Sequence, residues 1–189
     1  MSRIRPYPFQ TDGYGFYFSK VEGLLFTAAG EKGIDDQEEK DGGTRMKQFM
    51  QLIGIGLASG AVLAALMQLV YTLTGNEAYI LLYNVDYFPI IHIWQDSTWF
   101  GIVFHFVFCI ASVIGLFYIL KLFGWQYKMW TYVAVYTTGS GILYFLTLLT
   151  DQPPAADDGM AWFYWTSSHL VFSLIVAGMI VRFTRRSKS

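Results

Sequence analysis

The sequence predicts an all-α membrane protein: four transmembrane helices in one bundle, with both termini cytoplasmic. Three observations carry this. Of the 189 residues, 54% are hydrophobic and 14% are charged, against roughly a quarter charged in soluble domains. The charges are absent from four stretches long enough to cross a bilayer, whose core needs about 20 apolar residues in a helix. All 13 Lys and Arg then fall on one side of a four-span chain, as the positive-inside rule requires of cytoplasmic loops. Runs of this length are helical, because membrane strands are short and alternating.

Taken in chain order, residues 1–45 form a tail. Glu31 to Asp41 is polar and charged with no apolar helical stripe, which predicts a flexible cytoplasmic segment. The apolar clusters Tyr14-Gly15-Phe16-Tyr17-Phe18 and Leu24-Leu25-Phe26 give the alternative of docking on a membrane surface or a partner. Met46 is a second candidate translation start beside Met1, since Gly42-Gly43 is encodable by a purine-rich tract at the spacing of a bacterial ribosome-binding site.

The membrane domain covers 46–186, with spans predicted at 48–74, 98–121, 127–150 and 161–182, and 187–189 left as a terminal tail. Phe49 to Thr74 contains no ionisable side chain, and its length exceeds the h-region of a cleaved signal, so this span is read as a retained signal anchor. The connection 75–97 holds Ile80-Leu81-Leu82-Tyr83 and Phe88-Pro89-Ile90-Ile91-His92-Ile93-Trp94. So much apolar surface predicts a segment lying in the outer interface or capping the bundle mouth. Spans two and three join through Phe123-Gly124-Trp125-Gln126, a turn short enough to make them antiparallel neighbours. Asp151 to Gly159 is acidic, and its Pro153-Pro154 ends span three.

Seven basic residues precede span one, Lys121 and Lys128 flank the second turn, and Arg182, Arg185, Arg186 and Lys188 follow span four. The other two loops carry only acids. This places both termini and the turn between spans two and three in the cytoplasm, N-in and C-in. Trp94, Trp99, Trp162 and Trp165 fit an outer aromatic belt, and Trp125 and Trp130 an inner one. The expected partners are the lipid bilayer and either further copies of the chain or a larger membrane complex. A formal net charge of −1 suggests no nucleic-acid partner. Cys109, the single cysteine, allows no disulfide within the chain.

Counting inward from each outer helix end sets Gln68, His105, Tyr144 and His169 six to eight residues deep, or about 10 Å at 1.5 Å per residue. These four form the candidate ligand or proton site. Cys109 and Ser112 lie four and seven residues on from His105, Ser173 four on from His169, and Thr137, Ser140, Tyr144 and Thr147 form a stripe on span three. Ionisable groups within a span are costly in lipid and turn inward, where they are functional candidates by default. The bland alternative is interhelical hydrogen bonding, worth about 0.6–2 kcal/mol per contact.

Three chemistries compete for the histidines: proton sensing or relay from the outer side, with His92 as antenna; axial ligation of a b-type haem; and a copper or zinc ion on His92, His105 and His169. No Cys-x-x-Cys-His attachment, phosphate loop or zinc-protease helix is present, so hydrolysis and nucleotide use are not expected. A non-enzymatic protein without cofactor is the leading expectation. Gly56-x-x-x-Gly60, Ala111-x-x-x-Gly115, Gly139-Ser140-Gly141 and Ala177-Gly178 predict close helix approach.

Over residues 46–186 the pattern resembles the YagU-like family of small bacterial inner-membrane proteins. The resemblance rests on Gly54, Gly56, Ser59 and Gly60, on Trp99-Phe100-Gly101 followed by His105, on Pro153-Pro154, and on His169-Leu170-Val171 before Arg185-Arg186. The chain departs from the family in span three, where Ile142 and Leu143 stand in place of a histidine. The resemblance implies a contribution to acid resistance.

Overall fold

The computed structural model describes residues 14–85 and 98–184, with side chains described over 42–85 and 99–184. His92, Trp94, Arg185, Arg186 and the tail 187–189 lie outside the described residues. Helix α1 runs Tyr14–Thr74, a 3-10 segment follows at Glu77–Leu82, and then come α2 (Thr98–Leu122), α3 (Met129–Leu143) and α4 (Gly159–Met179). Helix α3 tightens into 3-10 geometry at Tyr144–Leu149, and α4 ends in a π turn at Ile180–Thr184. No strand occurs among the described residues. Four helical stretches, Gly42–Thr74, Trp99–Leu122, Met129–Leu149 and Gly159–Thr184, are long and apolar enough to cross a membrane, and each agrees with its predicted span to within six residues at either end.

The chain divides into two compact units, Met1–Arg45 and Met46–Ser189. In the first, the helix starts at Tyr14, where the missing apolar stripe predicted none. Ala, Leu, Glu and Lys, which recur through 20–40, are strong helix formers whatever face they present.

In the second unit, α1 crosses α2 at small residues. A Cβ built on Gly56 would meet the Ile110 Cα at 2.7 Å, and one on Gly60 the Cys109 Sγ at 3.1 Å. The Gly56-x-x-x-Gly60 expectation therefore holds, because only bare backbone permits this approach. Elsewhere, a Cβ on Gly141 would meet Trp162 and Thr166 of α4 at 3.6 Å, in ordinary contact, whereas Cβ atoms on Gly115, Gly139 and Gly178 would meet nothing within 4 Å. Helices α3 and α4 form the most intimate pair. Their packing is pinned by two indoles of α4, with Trp162 Nε1 donating to the Gly141 carbonyl at 3.0 Å and Trp165 Nε1 to Ser140 at 2.9 Å.

The ends close by capping. Gly75, at φ +71°, terminates α1 with its N–H on the Tyr71 carbonyl at 2.8 Å. Gly124, at φ +68°, ends α2 in a Schellman arrangement, with Trp125 N–H reaching back to Leu120 at 2.8 Å. Asp158 caps α4 by accepting from the amides of Met160 and Ala161.

The described part of the connection after α1, residues 75–85, packs on the bundle as a cap, while residues 88–94 lie outside the described residues. Ala78, Leu81, Leu82 and Val85 are buried, and the 3-10 segment packs on α2 and α4. Asn76 Nδ2 reaches the Asp158 carboxylate at 3.3 Å and Asn84 Nδ2 the Thr150 hydroxyl at 3.2 Å. The two acidic loops thus sit together at one end of the bundle, as four alternating spans demand.

Candidate functional site

Helices α1 and α2 on one side, and α3 and α4 on the other, enclose a cavity of about 290 Å³ beneath the 3-10 cap. Its walls come from Leu63 of α1, Leu81 and Leu82 of the cap, Phe104, His105, Phe108, Cys109 and Ser112 of α2, Val135, Tyr136, Gly139, Ser140, Leu143 and Leu146 of α3 and its 3-10 continuation, and Trp165, His169 and Phe172 of α4. Spacings of three and four residues explain how α2, α3 and α4 each present one stripe there: 105, 109 and 112 on α2, 136 and 140 on α3, and 165, 169 and 172 on α4.

His105 is buried, and its Nε2 lies 3.1 Å from the carbonyl oxygen of Gly60 on α1. A carbonyl only accepts, so Nε2 carries the proton, and in the neutral ring Nδ1 is left as an acceptor. The ring stands edge-on to Tyr83 and Phe106, at 5.9 and 5.2 Å between centroids. Cys109 Sγ lies 3.9 Å from Nδ1 and 3.8 Å from Nε2. The thiol, one helical turn on, is the nearest polar group to the ring's free nitrogen.

His169 shows the opposite tautomer. Its Nδ1 donates to the Trp165 carbonyl at 2.8 Å, leaving Nε2 as the acceptor in the neutral ring. Trp165 holds this imidazole twice over, through that bond and through ring contact at 4.2 Å between centroids. The indole is itself anchored on α3 through Ser140. His169 sits deep among its neighbours yet keeps accessible surface, which lies on the cavity wall.

Of the four residues predicted at one depth, the structure brings His105 and His169 to the same cavity. Gln68 is exposed on the outer face of α1, while Met67 beside it is buried. Depth along a helix does not fix the angle around it, and a one-residue shift turns a side chain by about 100°. Tyr144 is fully buried, but its hydroxyl points into the loop, donating toward the carbonyls of Ala155 at 2.8 Å and Asp158 at 3.1 Å. It ties the Pro153-Pro154 loop to α3 rather than lining the cavity. Ser112 and Ser140 line the cavity while bonding carbonyls of their own helices, and Ser173 is buried on its own helix's Leu170 carbonyl.

Two wall residues escaped the sequence. Trp165, assigned to the outer belt, is only 6% exposed and belongs to the core. Tyr136 lines the cavity with its ring against Phe172 at 5.1 Å and its buried hydroxyl beside that of Ser112 on α2. The signal for both was their spacing, four residues before His169 and four before Ser140.

The metal reading gains no ligand set: among the described residues no three His, Cys, Asp or Glu are grouped closely enough to hold an ion. His92, its third proposed ligand, lies outside the described residues. For haem, the space of about 290 Å³ is at the small end of ligand sites, which disfavours a macrocycle. No protein-family model, curated protein or solved structure matches this chain.

Proposed function

We infer that this chain is a multi-pass protein of the bacterial cytoplasmic membrane, N-in and C-in, which handles protons through His105 and His169. One observation carries the reading: two imidazoles line one cavity, each fixed through one nitrogen to a backbone carbonyl, with the second nitrogen bonded to no backbone group and, in His105, beside the Cys109 thiol. A ring fixed in this way accepts or releases a proton at its second nitrogen without reorienting, which is what a relay or sensor needs. The cavity lies at the end of the bundle where the acidic loops meet, and the bias of Lys and Arg toward the other end supports reading that end as external. A site facing external acidity serves a response to low pH, in line with the acid resistance implied by the resemblance to the YagU-like family.

Proteoliposomes loaded with a pH-sensitive dye test this. An acid step outside should drive proton entry through wild-type protein, and His105→Ala and His169→Ala should each reduce it severalfold. Wild-type entry in both variants rejects the reading.

A further inference from the structure

The cavity is not sealed on all sides. Phe108, on the α2 wall, is 50% exposed, and Val135 and Leu143, on the α3 wall, are 45% and 43% exposed. Within a membrane span such surface meets lipid rather than water. Helices α2 and α3 are consecutive and share a short turn, and these exposed side chains bring both of them to the cavity wall.

The space has a particular chemistry. Its volume of about 290 Å³ suits one ring-sized molecule. Aromatic faces line it, with Trp165 against His169 and Phe104 stacked along Phe108 at 6.3 Å. With both imidazoles neutral, the nitrogens left over are lone-pair acceptors, Nδ1 of His105 and Nε2 of His169. An acyl chain would leave Nε2 of His169 unpaired and Nδ1 of His105 with only the Cys109 thiol at 3.9 Å, which is costly in an apolar cavity. A ring bearing hydroxyl groups would pair them.

We propose that this cavity opens sideways to the bilayer between α2 and α3 and binds a lipid-dissolved, single-ring aromatic carrying hydroxyl donors, of the hydroquinone class. The proposal rests on the same site as the proton reading and names its ligand: the hydroxyl groups donate hydrogen bonds to the two imidazole nitrogens at which that reading has protons taken up.

Isothermal titration of the full chain in lipid nanodiscs, against empty nanodiscs, tests it with three probes: a decyl-substituted hydroquinone, its dimethyl ether and the matching quinone. The hydroquinone should bind, and the ether and the quinone, which lack the donors, should bind at least about tenfold more weakly. Gly139→Phe fills the space with a side chain whose Cβ meets nothing within 4 Å, so it should fold, checked by thermal unfolding, and lose hydroquinone binding. Equal binding of hydroquinone and ether would show a merely apolar pocket open to any lipid tail and would overturn the proposal. Absence of binding above the blank, or full binding in folded Gly139→Phe, would do the same. If proton entry still depends on His105 and His169 when these tests fail, the ligand falls and the proton reading stands.

Discussion

The carbonyl oxygen of Gly60 accepts a hydrogen bond from Nε2 of His105 at 3.1 Å, joining α1 to α2 across 45 residues of sequence. The bond exists because the crossing helices touch without a Cβ between them. At Gly56 the obstacle to a methyl group is backbone, the Ile110 Cα at 2.7 Å, whereas at Gly60 it is the Cys109 side chain at 3.1 Å. Gly56→Ala should therefore destabilise the protein by about 1–3 kcal/mol, net of a helix-propensity gain of up to ~1 kcal/mol. Gly60→Ala should cost less but weaken the His105 bond. Gly54→Ala, whose Cβ meets nothing within 4 Å, should be neutral or stabilising. Thermal unfolding in detergent ranks the three, and an equal loss at Gly54 and Gly56 would contradict the crossing.

Trp165 joins α4 to Ser140 on α3 and supports His169. Trp165→Phe keeps an aromatic face and removes the indole N–H, so it should cost about 1 kcal/mol. Proton entry should fall with it, because the ring holding His169 loses its anchor. A change in stability without a change in entry would reduce Trp165 to packing alone.

Asp158 accepts from the amides of Met160 and Ala161 and from Asn76 of the opposite loop. Replacing it with Ala removes the α4 cap and the tie between the outer loops, which should cost about 0.5–2 kcal/mol. Hydrogen exchange should speed up at the first turn of α4 and at Glu77–Leu82 together. Faster exchange at α4 only would show that the Asn76 contact does not hold the cap.

Tyr83 lies outside the spans and packs against Gly101, where a Cβ would meet its carbonyl at 2.5 Å. Burial, then the neighbouring Tyr79, pushes its phenol above the usual value of 10. A phenol raised in the folded state contributes stability that is complete below about pH 10 and is lost as pH rises beyond it. The cap should loosen above pH 10, and Tyr83→Phe should make unfolding less sensitive to pH from there upward. An identical alkaline profile in the variant would exclude Tyr83 as the titrating group.

The spans were legible because lipid imposes length and composition on any helix that crosses it, and every predicted span finds its helix. Inward facing was legible for His105 and His169, where burial of an ionisable group follows from the cost of exposing it to lipid. Gln68 and Tyr144 show the limit of the same argument. Both can satisfy their polar groups elsewhere, and Tyr144 does so through the carbonyls of Ala155 and Asp158. The helix from Tyr14 was hidden because periodicity reports a buried face, not helicity itself.

The central claim is that two imidazoles of opposite tautomer present their second nitrogens to one cavity. Nitrogen-15 spectra of histidine-labelled protein in bilayers, recorded while the pH is lowered, test it most directly. The account predicts a protonated Nε2 for His105 and a protonated Nδ1 for His169 at the start. The second nitrogen of each should then take up a proton reversibly, and the His105 signals should shift in His169→Ala. Matching tautomers, or His105 signals indifferent to the loss of His169, would contradict it.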